Sequence, residues 1–130
     1  MTIELIVPPK DNQQKLAEVG QEIVEAASHL GEPVGVEGFL AAWVSHVKVA
    51  VKRNDKGRIE ALAMFVGGPR WIDSKTAVHV LRIDGPRTEL IEFIKTIAIG
   101  MNASALYVEE RELVESTDEY LKYAITCYKL

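Results

Sequence analysis

Residues 76–101 read TAVHVLRIDGPRTELIEFIKTIAIGM, and a change of period inside this stretch decides the fold. Thr76 to Ile83 alternate, with Ala77, His79, Leu81 and Ile83 on one face and Val78, Val80 and Arg82 on the other. That is the period of a β-strand. Asp84, Gly85 and Pro86 break the pattern, and Leu90, Ile91, Ile94, Ile97, Ala98 and Met101 then recur at helical spacing. Pro86 suits the first helical turn, where its missing N–H costs no helical bond. Gly100 and Asn102 end the helix, and Ala103–Val108 form a short strand beyond it. Strand, helix and strand in this order make a crossover unit.

Upstream, Ile3 to Val7 form a first strand closed by Pro8 and Pro9. Asp11 or Asn12 caps a helix whose stripe is Leu16, Val19, Ile23, Ala27 and Leu30, stopped by Gly31 and Pro33. Phe39, Leu40, Trp43, Val44 and Val47 suit a second, shorter helix. Val47–Lys52 and Arg58–Val66 flank Asn54-Asp55-Lys56-Gly57, a hairpin with glycine at its positive-φ position. Gly67-Gly68-Pro69 ends the second of these strands, and Trp71 to Ser74 lie in a turn.

Downstream, residues 109–119 carry six acids and one base and read as a charge-dense break, with room for a helix of one or two turns at most. Tyr120 to Leu130 alternate as a terminal strand. The order is β-α-α-β-β-β-α-β-β. It implies an α/β (α+β) protein with a mixed, mostly antiparallel sheet and helices on both faces.

The chain has 130 residues, a net charge of −4 and 48% hydrophobic residues. That length suits one domain over residues 1–130, and about two-thirds of the unfolded surface of such a chain is buried on folding. A single cysteine, Cys127, excludes an internal disulfide framework and a cysteine-rich zinc site. The acidic balance argues against a general nucleic-acid binder, which needs a basic face for the phosphates. Because most of the excess acid lies in 109–119, the rest of the chain is close to neutral and leaves room for a phosphate-bearing ligand. The N-terminal apolar run is too short, and too acidic at Glu4, for a signal peptide or a membrane span. A cytoplasmic protein, or one associated with a virion, is expected.

The element order resembles that of the GCN5-related N-acetyltransferase (GNAT) superfamily over nearly the whole chain. The sharpest likeness is Arg82-Ile83-Asp84-Gly85-Pro86-Arg87 before a helix, where that family carries Arg/Gln-x-x-Gly-x-Gly/Ala. The resemblance implies acetyl-coenzyme A as cofactor, its pyrophosphate cradled by backbone N–H groups at a helix start. On that likeness Leu81, Arg82, Ile83, Gly85 and Arg87 are the cofactor-binding residues. Three departures are visible: Arg87 replaces a small residue, Pro86 removes one N–H donor, and Asp84 puts a carboxylate near the anion site. Arg87 compensates if it pairs with phosphate, and Asp84 if it caps the helix. The resemblance further implies transfer of an acetyl group to a small-molecule or peptide amine by direct attack. The family's usual helix and tyrosine acid after the fifth strand are missing here.

His79 is the candidate catalytic base, set against a half-buried strand histidine that merely holds a hydrogen bond. His29 and His46 lie near helix ends as surface or capping residues, and the three histidines lack the acidic neighbours of a metal site. Glu60 is a candidate base acting through water, or a solvated strand residue. Tyr107, Tyr120, Tyr123 and Tyr128 are candidates for a displaced acid, or packing residues with wet hydroxyls. Phe39 and Trp43 line an acceptor pocket or simply pack. Trp71 anchors a loop or a partner subunit, which allows a homodimer. Cys127 is expected to be a small buried hydrophobe. Segment 109–119 is a solvated face or an attractant for amines. A second function stays open: a non-catalytic GNAT-like module, such as a phage accessory or virion protein, acting through an interface.

Overall fold

The computed structural model describes residues 2–69 and 75–130. Strand β1 (Thr2–Ile6) stops just before Pro8 and Pro9, which have no N–H to offer a ladder. Helix α1 (Gln13–Leu30) begins where the Asn12 side chain accepts the Lys15 N–H at 3.0 Å. Its stripe is the expected one, with Gly20, Ile23, Val24 and Ala27 deepest and Leu16, Val19 and Leu30 at the margins. Helix α2 (Val36–Ser45) crosses so close that a Cβ on Gly20 would sit 2.5 Å from the Leu40 side chain.

Strands β2 (Lys48–Arg53) and β3 (Ile59–Pro69) form the expected hairpin. Gly57 takes φ +79°, and the Asn54 side chain accepts the N–H groups of Lys56 and Arg58. Strand β3 does not stop at its glycines as expected: Gly67 pairs with Val78 and Gly68 with Ala77. Glycine keeps the N–H a ladder needs, and at Gly67 a Cβ would lie 2.9 Å from the end of Met101. Strand β4 (Thr76–Asp84), helix α3 (Thr88–Gly100), β5 (Ala105–Ser116) and β6 (Leu121–Lys129) complete the chain.

The six strands lie in the order β1-β2-β3-β4-β5-β6. Every neighbouring pair is antiparallel except β4 and β5, which α3 joins as a crossover. One face carries Val49, Val51, Leu62 and Met64 under α1 and α2. The other carries Ala50, Ala63, Phe65, Val78, Val80, Leu106 and Val108 under Leu90, Ile91, Ile94 and Ala98 of α3. Met101, expected on the buried side of α3, is 37% exposed because it lies past the last turn, at the C-cap. Among the described residues no helix is long and apolar enough to cross a membrane.

Residues 109–119 are the largest correction. They form no break and no helix: β5 runs through Ser116, and residues 117–120 turn the chain into β6. The Thr117 hydroxyl accepts the N–H groups of Glu119 and Tyr120, and the Thr117 N–H bonds Tyr120 O at 2.9 Å. Glutamates are poor strand formers alone. Here Glu109 stands opposite Ile125, Leu113 opposite Tyr123 and Glu115 opposite Lys122, so β-branched, aromatic and opposite-charge partners across the ladder hold the segment as a strand.

Candidate functional site where two parallel strands part

Strands β4 and β5 pair from Ala77–Ala105 to Val80–Val108 and then separate, β5 continuing with β6 alone. At the same level the ladder between β3 and β4 slips: Met64 pairs with Arg82 but Phe65 with Val80, so Leu81 is one residue too many. Such a bulge turns every later side chain to the opposite face. The strict alternation expected through Ile83 therefore fails. Val80 and Ile83 both face α3, whereas Arg82 reaches α1, donating from Nη2 to Ala27 O at 2.9 Å.

Past the bulge, Gly85 takes φ +80°, and a Cβ there would lie 2.4 Å from Glu60 O. No other residue fits this turn without displacing β3. Helix α3 begins only at Thr88, so Pro86 precedes the first turn rather than occupying it, and Arg87 is the N-cap residue. The Arg87 side chain crosses to β5, where Nη1 and Nη2 donate to Glu110 at 2.6 and 2.8 Å. The Thr126 hydroxyl donates to the same carboxylate at 2.7 Å. The bonds from Arg87, helped by Thr126, hold Glu110 below the usual carboxylate range against the opposing effect of burial. Arg87 in turn is held protonated beyond its ordinary range, chiefly by Glu110.

Arg82 has its own carboxylate. Its Nε donates to Asp84 Oδ2 at 2.5 Å, and Arg111 Nη1 approaches Asp84 Oδ1 at 3.1 Å. Asp84 is only 6% exposed. Gly31, at the end of α1, leaves it room, since a Cβ there would lie 2.3 Å from Oδ1. Asp84 thus does not cap α3, as the sequence suggested, but binds two arginines. Glu110 and Arg111 are neighbours on β5 and point to opposite faces. One ties β5 to the start of α3, the other to the end of β4.

Between the parted strands lies a cleft of about 840 Å³, walled by Leu81, Arg82, Glu110, Arg111, Leu113, Tyr123 and Ile125. Of the residues expected to hold a cofactor, Leu81 and Arg82 line it, Arg87 reaches it through Glu110, Gly85 shapes the turn behind it, and Ile83 belongs to the α3 core. His79 stands two residues before Leu81, half-buried and stacked on Tyr107 with ring centroids 5.2 Å apart. Tyr123 is the one of the four tyrosines that lines the cleft. The Tyr120 hydroxyl donates to Glu115, and Tyr128 lies beneath the Lys95 ammonium.

Other candidates resolve simply. Phe39 and Trp43 are 4% and 2% exposed and stack at 5.5 Å, and Trp43 Nε1 donates to Ile6 O, so they pack. Glu60 is paired with Lys52 at 3.4 Å. His29 and His46 are exposed at helix ends. Cys127 is exposed rather than buried, because β6 is the last strand and its residue faces away from α3. Trp71 lies outside the described residues. Sequence reasoning missed Glu110 and Arg111, because an acid beside a base inside a charged run carries no local mark of the two faces that pairing with β6 gives them.

No protein-family model matches the chain, nor does any curated protein sequence. Solved structures do. A ribosomal-protein-alanine N-acetyltransferase from Brucella melitensis biovar Abortus 2308 superposes with a TM-score of 0.66 at 13% identity, covering 97% of this chain and 99% of its own. A GNAT family acetyltransferase from Staphylococcus aureus gives 0.62 at 12% identity over 94% and 98%. An acetyltransferase of Trypanosoma brucei gives 0.57 at 14% over 91% and 85%. With the parted parallel strands, the bulge beside them and the glycine turn into α3, this chain has the GNAT acetyltransferase fold in a divergent form.

Proposed function

We propose that this protein is an acyl-coenzyme A-dependent N-acetyltransferase acting on a small-molecule or peptide amine. The observation that carries the reading is the parting of β4 and β5 beside a bulged Leu81, which opens a cleft whose wall residue Glu110 is bonded to Arg87 at the start of α3. Its volume lies within the range of small-molecule sites. The first N–H groups of a helix have no partner inside it and attract phosphate. The chain fits acetyl-coenzyme A on these grounds: the Gly85 turn, the start of α3 and Arg87 would hold its pyrophosphate, and Leu81 and Arg82 would border its acyl end. When bound, that cofactor supplies the activated acyl group.

An acceptor amine must lose a proton and the departing thiol must gain one. His79, two residues before the cleft residue Leu81 and stacked on Tyr107, is assigned as the base, and the Tyr123 hydroxyl, on a residue that lines the cleft, as the acid. Much of the remaining effect would come from positioning. Incubation with acetyl-coenzyme A and a panel of amines, read by mass spectrometry, should give an acetylated amine, with Tyr123→Phe slowing its formation. An empty panel together with no cofactor binding overturns the proposal.

A second reading is favoured by one observation: Arg82 and Arg87 are already neutralised by Asp84 and Glu110. A non-catalytic module acting through a protein interface would keep the fold and these ion pairs without a cofactor. Failure of both the wild type and Glu110→Gln, which loosens Arg87, to bind coenzyme A supports this reading.

A further inference from the structure

Beyond Val108, β5 has β6 as its strand neighbour and no longer pairs with β4. A two-stranded ribbon is marginal in water and needs a third strand or a covering layer. The ribbon's face away from α3 carries Leu113, Tyr123 and Ile125, which are 51%, 51% and 62% exposed, with exposed Cys127 beside them. Strand β6 is also the end of the sheet. Its middle, Tyr123-Ala124-Ile125-Thr126-Cys127, contains no charge, proline or glycine. Unprotected edges of this kind are templates for pairing.

We propose that the occupant is a second copy of this chain, joined by antiparallel pairing of β6 with β6 about a two-fold axis through Ile125. The strand is complementary to itself in that register. Ile125 meets its own counterpart, Tyr123 stands opposite the partner's Cys127, and Lys122 opposite the partner's Tyr128. No like charges oppose. Lys129 stands opposite the partner's Leu121, the first residue of β6, and so next to the turn that carries the partner's exposed Glu119. Neither Glu119 nor Lys129 makes an ion pair within the described residues of its own chain. The two-fold axis supplies that pair twice. Because Tyr123 and Ile125 also line the cleft, the partner would stand beside its open side.

Sedimentation equilibrium of the full chain should return a dimer, and Ile125→Glu a monomer with unchanged circular dichroism. Glu119→Lys should weaken the dimer, and adding Lys129→Glu should restore it; these exposed positions decide the matter if Ile125→Glu does not fold. Tyr123→Cys tests the register directly. Directly opposed strand residues are within disulfide reach, so diamide should link each new thiol to the partner's Cys127, giving a covalent dimer. A wild-type monomer at every concentration, a dimer indifferent to Ile125→Glu and to the Glu119 reversal, or a dimer that Tyr123→Cys cannot cross-link would overturn the proposal.

Discussion

Arg87 and Glu110 meet in a two-pronged ion pair, 2.6 and 2.8 Å long, that spans from the start of α3 to β5 just where β5 has left β4. Charge-assisted, bidentate bonds of this type fix geometry as well as adding energy. The pair ties Glu110, a residue of the cleft wall, to the start of α3 and sets the resting position of the Arg87 side chain.

Glu110→Gln should therefore change stability in a pH-dependent way. A carboxylate whose folded pKa lies below its unfolded value stabilises the fold above the unfolded pKa, and that stability is lost as pH falls through the folded value. An ordinary glutamate carboxyl titrates at about 4.5 and Glu110 lies below that, so the wild type should keep this contribution near neutrality and lose it in acid below that point. The variant should be about 1–2 kcal/mol less stable near neutrality, and the difference should shrink as pH falls. Urea melts at a series of pH values measure both.

Asp84→Asn should cost more. Asp84 is 6% exposed and its partner Arg82 has a side chain only 12% exposed, so the variant leaves a mostly buried guanidinium without its counter-charge. Losses of about 3–5 kcal/mol follow such a break. Arg111→Gln, at a side chain 43% exposed, should cost less than about 1 kcal/mol. Equal losses at both positions would contradict the distinction.

Gly85 and Gly57 separate two causes of strain. Both have φ near +80°, but a Cβ at Gly85 meets Glu60 O at 2.4 Å whereas one at Gly57 meets open space. Gly57→Ala should cost about 1 kcal/mol for the backbone alone, and Gly85→Ala at least about 2 kcal/mol more, since the β3 backbone must move. Denaturation midpoints of the two variants, at unchanged slope, give the comparison.

Much of the architecture was legible in periodicity. The stripe Ile23–Ala27, the stripe Leu90–Ile94–Ala98 and the Asn54–Gly57 turn all fall where hydrophobic spacing and turn chemistry put them. The bulge at Leu81 was not legible, because one surplus residue in an apolar run leaves no compositional mark yet reverses Arg82 and Ile83. Residues 109–116 were misread because their charge suits solvent as well in a strand as in a loop; pairing with β6 makes the difference. At the site, Arg87 was placed at the right turn, but its partner lies 23 residues away on a strand whose register no local pattern reveals.

The most direct test is the melting temperature of the full chain with and without acetyl-coenzyme A. A ligand that binds the folded state adds about 2.7 kcal/mol at one hundred times its Kd. A saturable rise in melting temperature, reduced by Arg87→Glu, is the expected result. No rise at millimolar acetyl-coenzyme A would contradict the assignment of the cleft as a cofactor site.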